Sequence, residues 1–296
     1  MRVCATLGVP FMTMDCEAEY KKEVVDYMIR EYSEGRVPNP DVFCNKYVKF
    51  GVFLDKALKA GADFIATGHY AMVEIRNKKY ELRESKDREK DQSYFLHRLN
   101  QTQLSKAMFP LGNILKSEVR RIAEQHGLSN HAKKDSTGIC FIGERPFREF
   151  LNRYLPTKPG DMVTPEGQTV GKHMGLSFYT IGQRKGLGLT SPNPLYVVEL
   201  DATNNRVIVG DDTMLDRDEF RVERCNWIPF DEPPVSLEVS AKIRYNHPGT
   251  PATITPTPDG GARVKLRIPQ RAITPGQACV FYQDDLVVGG GWITRE

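Results

Sequence analysis

The sequence of 296 residues predicts an α/β domain, a small helical region and a C-terminal β-barrel region. Up to residue 84, short apolar runs alternate with amphipathic helical patterns, and this order is typical of a mostly parallel sheet. After Pro156, Gly, Pro and β-branched residues dominate in short alternating runs, which indicates one or two small barrels. Charged residues make up 27% of the chain and hydrophobic residues 40%, as in ordinary globular proteins.

Apolar periodicity defines the elements of the front region. Tyr20, Val24, Tyr27 and Met28 recur at helical spacing, and Gly35 suits the end of that helix. The predicted order is a helix over 1–8, a buried strand over 9–14, a helix over 17–33, a helix over 45–58 and a buried strand over 63–68.

The front region resembles only part of a nucleotide-binding sheet. Its first element is the end of a helix, and two parallel strands alone would be poorly covered. We therefore expect the second half of a Rossmann-like α/β domain, with the first half absent. Ligands of such sheets bind beyond the carboxyl ends of the strands, where Gly68 and His69 lie.

Residues 70–84 predict a hairpin, and residues 85–92 a charged loop. Helical patterns follow over 102–108, 116–126 and 145–154. The predicted strands of the tail are 195–200, 206–209, 237–243, 252–255, 263–268, 278–282 and 286–293. The expected domains are 1–84 (half of the nucleotide-binding domain), 85–155 (helical, with the Cys140 loop), 156–215 (a small β domain) and 216–296 (a β-barrel).

Charge and targeting signals narrow the class of protein. The net charge of +3 permits an anionic partner without requiring one. No apolar run reaches the roughly 18 residues of a membrane span, and the N-terminus lacks the form of a signal peptide. We therefore expect a cytoplasmic protein that does not bind a membrane.

The six cysteines form no C-x-x-C pair, so neither a metal site nor a disulfide framework is predicted. Cys44 precedes a helical pattern, with Lys46 and Lys49 close by, and a helix N-terminus with nearby cations favours a thiolate. Cys140 follows two lysines in a polar loop. The two cysteines could act as attacking and resolving thiols, but either could equally be structural.

Six motifs, taken together, resemble the bacterial tRNA-specific 2-thiouridylase family. They occur in the family's order and span nearly the whole chain. The segments are Pro38-Asn39-Pro40-Asp41 with Cys44-Asn45-Lys46, Ala66-Thr67-Gly68-His69-Tyr70, residues 90–96, residues 134–145, residues 182–188 and Thr274-Pro275-Gly276-Gln277.

The resemblance implies ATP-dependent 2-thiolation of the wobble uridine of tRNA, on an adenine nucleotide alpha hydrolase-type fold. Cys140 would carry sulfur as a persulfide, and Cys44 would resolve it through a transient disulfide with Cys140. Asp41 would be a general acid or base, and Asn39, Pro40 and Asp41 would bind the target base. The remaining implied contacts are Gly68 for ATP, with Mg²⁺ as counter-ion, and His69, Lys90, Asp91, Gln92, Arg244, Tyr245 and Gln277 for tRNA. A persulfide-bearing protein would donate the sulfur.

The chain departs from the family pattern at its front. The glycine- and serine-rich pyrophosphate loop of type S-G-G-x-D-S does not occur. We expect either a truncated start, lacking about two βα units, or a protein that has lost ATP chemistry.

Three hypotheses follow: a tRNA thiolase, a tRNA-binding sulfur carrier that cannot adenylate, and a cysteine-based relay acting on proteins. A purely structural role also remains open for each of these residues. Asp41 suits a helix cap, His69 suits a structural role, and the lysines around Lys90 suit a solvated charged face.

Overall fold

The computed structural model describes residues 1–134, 153–155 and 157–295. The helices are α1 (Arg2–Leu7), α2 (Glu17–Tyr20), π1 (Lys21–Val25), α3 (Asp26–Ser33), α4 (Pro40–Phe43), π2 (Cys44–Phe53), α5 (Leu54–Lys59), α6 (Gln101–Leu104) and α7 (Lys116–Gln125). Segments α2 to α3 and α4 to α5 are each continuous, so two long helical rods dominate the front. The helices predicted over 1–8, 17–33 and 116–126 are confirmed.

The strands are β1 (Ile65–Ala66), β2 (Ala71–Arg76), β3 (Lys79–Glu84), β4 (Ala107–Met108), β5 (Gly160–Val163), β6 (Thr169–His173), β7 (Tyr196–Asp201), β8 (Arg206–Gly210), β9 (Asp216–Trp227), β10 (Leu237–Lys242), β11 (Thr250–Pro256), β12 (Ala262–Arg271), β13 (Ala278–Gln283) and β14 (Leu286–Ile293). Short 3-10 turns cover Ser93–Leu96, Leu176–Phe178 and Asp212–Leu215. The helix predicted over 145–154 falls outside the described residues, apart from 153 and 154.

The parallel sheet of the front region is short. Strands β1 and β4 pair in parallel, with Ile65 opposite Ala107 and Ala66 opposite Met108. The prediction of one helix over 102–108 is therefore wrong at its end, because α6 ends at Leu104 and the chain then pairs with β1. The Rossmann-like class of the front region is confirmed.

The buried strand predicted over 9–14 is wrong. These residues form no strand, and Val9, Phe11 and Met12 are exposed. An apolar run becomes a strand only where a neighbour can pair with its backbone groups. No strand in the described part of the chain pairs with residues 9–14.

A six-stranded barrel closes the C-terminal region of the described chain. Its strands follow the order β13, β10, β11, β12, β9 and β14, and the β13–β14 pairing completes the ring. The predicted barrel is thus confirmed. Strands β5 to β8 form a separate four-stranded sheet in which β5 and β8 run parallel.

One hydrophobic core joins the front region to the barrel. Val42 and Phe50 of the second helical rod share a cluster of buried side chains with Val280 and Trp292 of the barrel. The hairpin β2–β3 also pairs with β14, through Leu286 and Arg83. The barrel therefore supports the helical rod that carries Cys44.

Candidate functional site

The helix that carries Cys44 begins earlier than the sequence predicts. Asn39 occupies the cap, and Pro40 takes the first helical position, where a missing N–H costs nothing. Cys44 is consequently in the second turn rather than at the helix N-terminus, so that part of the prediction is wrong. Asp41 precedes Cys44 by three residues, which places the two on neighbouring positions of one helix face.

The Cys44 side chain is buried in a small cluster with Val24 and Val48. The nearby lysines are directed to other partners. The Lys46 ammonium donates to Gln103 Oε1 at 2.9 Å, and Lys49 Nζ lies 3.5 Å from His69 Nε2. The basic setting predicted from the sequence is therefore formed around Gln103 and His69.

Gln103 explains the π-helical stretch that begins at Cys44. Its amide donates to the carbonyls of Lys46 (3.0 Å) and Phe50 (2.7 Å), so a side chain is inserted into the helix's own hydrogen-bond ladder. A capping box between Asn100 and Gln103 fixes Gln103 in turn. Burial, aided by the charge of Arg98, lowers the pKa of Lys46 to about 8.

Gly68 and His69 lie just beyond the carboxyl end of β1, as predicted, but only Gly68 is exposed. Burial, with a smaller effect of the Lys49 charge, lowers the pKa of His69 to about 3. Since a lysine ammonium can only donate, Nε2 accepts and Nδ1–H donates to Thr67 Oγ1 at 2.7 Å. His69 is thus a neutral, buried side chain between Lys49 and Thr67.

A cavity of about 700 Å³ gathers four of the predicted contact residues, Gly68, Lys90, Gln92 and Tyr245. We call this cavity the basic groove. Its other wall is α7 and the loop after it. The basic side chains that line it are Lys90, Lys116, Arg120, His131, Lys133 and Lys134, and the single acidic residue among its lining is Glu89.

Aromatic contacts and hydrogen bonds hold the groove's floor. Gln92 pairs with the Tyr70 backbone through its own N–H (2.7 Å) and through Oε1 (3.1 Å). Lys116 lies over the Tyr70 ring, and the Tyr245 ring lies 4.4 Å from that of Phe95. The part played by α7 could not be seen in sequence, because Lys116 and Arg120 are remote from every motif.

Three predicted tRNA contacts have other surroundings. Asp91 is buried, and its carboxylate accepts from Ser85 N–H (2.8 Å) and from the Ser93 hydroxyl (2.6 Å). Burial raises the pKa of Asp91 more than these bonds lower it. Arg244 is exposed and does not line the groove, although the next residue, Tyr245, does. Gln277 donates to the Val37 carbonyl, at 2.9 Å.

Cys140 lies outside the described residues, and so its pairing with Cys44 stays a prediction. The described chain stops on that side at Lys133 and Lys134, which line the groove. Across the described ranges, no group of three His, Cys, Asp or Glu side chains could hold a metal ion. None of the helices described above has the length and apolar character that crossing a membrane requires.

Three family models match successive parts of the chain. They are described as the tRNA methyl transferase HUP domain (residues 1–144), the tRNA methyl transferase PRC-barrel domain (148–211) and the aminomethyltransferase beta-barrel domain (217–293). The first match agrees with the Rossmann-like front and the third with the six-stranded barrel.

Curated relatives match almost the whole chain. The tRNA-specific 2-thiouridylase MnmA 2 of Geobacillus kaustophilus is 47% identical over 99% of this chain and 80% of its own length. The MnmA of Cupriavidus metallidurans is 49% identical over 98% of this chain and 84% of its own. The MnmA of Burkholderia thailandensis is 50% identical, with shares of 98% and 79%.

These matches do not bear out the predicted truncation of the front, and they do not favour a catalytically incomplete carrier. At such identity and coverage, the chain belongs to the tRNA-specific 2-thiouridylase MnmA family.

Proposed function

We propose that the protein is a tRNA-uridine 2-sulfurtransferase, which replaces the C2 oxygen of a wobble uridine in tRNA with sulfur in an ATP-dependent reaction. The reaction would take place in the cytoplasm. The observation that carries the proposal is the basic groove, which brings residues from three distant segments together on one cationic surface. The names of the relatives support the same activity.

The groove suits an RNA backbone. Its lining residues include five Lys and Arg side chains and one acidic side chain. Such a surface gains affinity for RNA by neutralising phosphates and releasing their counterions. Tyr245 adds an aromatic face at the edge, and unstacked RNA bases stack on such faces. Asp91, in contrast, would act by holding the loop that presents Lys90 and Gln92.

The rod from Pro40 to Cys44 would hold the target base. Asn39 and Asp41 supply hydrogen-bonding groups at the start of this helix. Asp41 would accept or return a proton during the exchange of oxygen for sulfur. Because Asp41 and Cys44 share a helix face, one side of this rod would present both groups to the base.

ATP, with Mg²⁺ as counter-ion, would supply the activation that makes the uridine oxygen a leaving group. Gly68 is the described residue proposed to contact it. Its backbone is exposed beyond β1, and a side chain there would meet nothing nearer than Leu111 at 3.9 Å, so the space needed for a ligand is open.

In the sulfur step, Cys140 would carry an outer sulfur received from a persulfide-bearing protein. The outer sulfur would form a bond to C2 of the adenylated base, the C2–O bond would break, and AMP would leave with that oxygen. The Cys44 thiolate would attack the inner sulfur. The S–S bond of the persulfide breaks, its electron pair leaves with the transferred sulfur, and a Cys44–Cys140 disulfide remains. A thiol reductant then restores both thiols.

The test supplies the purified protein with ATP, a tRNA carrying a wobble uridine and a persulfide-bearing protein, and measures 2-thiouridine by nucleoside mass spectrometry. We expect ATP-dependent product from the wild type and none from Cys140→Ser or Cys44→Ser. Normal product from Cys140→Ser would exclude the carrier role. Absence of product from the wild type would refute the activity itself.

The same preparation tests the groove through the salt dependence of tRNA binding. Lys116→Gln or Arg120→Gln should each reduce the slope of log Kd against log salt by about one. Arg121→Gln is the matched control, because Arg121 pairs with Glu118 on α7 outside the groove. Equal effects of Arg120→Gln and Arg121→Gln would refute the assignment of this wall to tRNA.

A further inference from the structure

A turn of the barrel, residues 274–278, lies directly against the segment that leads into the Cys44 helix. The Pro275 carbonyl accepts from Val37 N–H at 3.0 Å. The Gln277 amide donates to the carbonyls of Val37 (2.9 Å) and Pro38 (3.4 Å). Prolines 38 and 40 have no N–H, so this segment cannot pair as an ordinary strand, and the barrel turn satisfies its carbonyls instead.

The approach of the two backbones requires glycine at position 276. Its φ is +90°, and an added Cβ would lie 2.9 Å from the Val37 nitrogen and oxygen. The turn is itself fixed to β14, because Gly276 N–H donates to the Ile293 carbonyl at 2.9 Å and Ile293 N–H donates to Gln277 O at 2.8 Å. The turn is therefore a rigid support.

Asn39 is held by the same support. Its side chain lies near the hydroxyl of Tyr94, and that hydroxyl donates to the Ala278 carbonyl at 2.8 Å. Asn39 and Tyr94 are both buried. The residue proposed to contact the base thus lies next to a tyrosine whose hydroxyl is bonded to the first residue of β13.

Aromatic packing completes the attachment next to the thiol. The Phe43 ring stacks on Tyr27, with 3.5 Å between centroids, and lies 5.1 Å from the Trp292 ring of β14. Cys44 follows Phe43 directly. Any shift of the barrel turn or of Trp292 would move the start of this rod.

We infer that the barrel positions the segment 37–44, and that Gln277 is a positioning residue for this segment. The Gln277 amide nitrogen donates to the carbonyls of Val37 and Pro38, two residues and one residue before Asn39 respectively. This inference rests on the proposed roles of Asn39 and Cys44. It assigns to the C-terminal barrel a direct part in the geometry of the reaction.

The test compares Gln277→Met with Gln283→Met. Gln283 is the matched control, since it lies at the end of β13 and donates to the Glu238 carbonyl at 3.1 Å, away from this segment. We expect Gln277→Met to raise the rate at which iodoacetamide alkylates Cys44 about tenfold, because the variant lacks the hydrogen bonds that hold segment 37–44 against the barrel turn. The single-turnover thiolation rate should fall about tenfold, with tRNA Kd changed less than twofold.

Tyr94→Phe provides a second variant, which removes only the hydroxyl between Asn39 and Ala278 and should act in the same direction. Weaker tRNA binding by Gln277→Met, with unchanged Cys44 alkylation, would overturn the inference in favour of a direct RNA contact. Unchanged alkylation and thiolation would overturn it as well. Because alkylation needs neither ATP nor tRNA, it reads the positioning even if the proposed activity fails.

Discussion

Two buried histidines, His69 and His97, should make the fold sensitive to mild acid. Burial lowers the pKa of each to about 3, with Lys49 and Arg98 adding to the effect at His69 and His97 respectively. His97 is fully buried, and its Nδ1–H donates to the Tyr94 carbonyl at 2.7 Å. Both rings are therefore neutral in the folded protein at any pH near neutrality.

The sign of the effect follows from linkage. In the unfolded chain each histidine regains its ordinary pKa of about 6.5. Below that pH the unfolded state therefore binds protons that the folded state does not bind. The stabilisation is complete above about pH 6.5 and declines as the pH falls toward 3. Between pH 7 and pH 5 each histidine removes about 2 kcal/mol from the free energy of unfolding, or about 4 kcal/mol for the pair.

The assay is urea unfolding at pH 7 and pH 5, followed by tryptophan fluorescence. Both tryptophans of the chain, Trp227 and Trp292, lie in the barrel, so the signal reports the region around His97. His97→Asn keeps a donor for the Tyr94 carbonyl but cannot titrate. Its loss of stability between the two pH values should be smaller than that of the wild type by about 2 kcal/mol.

His126→Gln is the control, because His126 is exposed just after α7. It should show the same pH difference as the wild type. The reasoning is refuted if His97→Asn loses as much stability between pH 7 and pH 5 as the wild type does.

Two further predictions concern packing. Gln103→Ala should lower the free energy of unfolding by about 3 kcal/mol, because it removes three side-chain hydrogen bonds to the π-helical stretch. It should also speed amide hydrogen exchange over Cys44–Phe53. The control Thr102→Ala, at an exposed position, should have neither effect. Gly112→Ala should lower the free energy of unfolding, measured in urea, by more than about 3 kcal/mol, because the added Cβ would lie 2.0 Å from the Ala71 carbonyl oxygen. The control Gly68→Ala has room for its Cβ and should fold normally. A stable Gly112→Ala protein, or a Gln103→Ala protein with wild-type exchange, would contradict these assignments.

Elements with strong local signals could be predicted from the sequence. The helix α7 has a regular apolar face and ends before Gly127, whose φ is +65°. The hairpin β2–β3 turns at Asn77 and Lys78, both of which have positive φ as its tight turn requires. In these places the conformation is decided within a few neighbouring residues.

Elements that depend on distant partners were missed. Strand β9 is the longest in the described chain, yet its charged outer face hides the inward alternation of Phe220 and Val222. Strand β4 has only two residues and exists because β1 lies beside it. The wrong start of the Cys44 helix is different, since Asn39 and Pro40 are a recognisable cap and first helical residue.

The candidate site shows the same division. The family resemblance supplied Gly68, Lys90, Gln92 and Tyr245, which the fold brings to one groove. Neither the α7 wall nor the hydrogen bonds of Gln277 have a local signal. Sequence motifs identify residues whose side chains could bind a ligand or take part in a reaction. Whether such a side chain faces a ligand or another part of the backbone depends on tertiary contacts.

The core shared by Val42, Phe50, Val280 and Trp292 has a consequence for synthesis on the ribosome. During synthesis, the second helical rod, from Pro40 to Lys59, emerges long before the barrel strands that cover it. The rod cannot be fully packed until β14, which ends at Ile293, has emerged. Throughout that interval the apolar face of the rod stays open to chaperones and to misassociation, so this rod is made well before it can become stable.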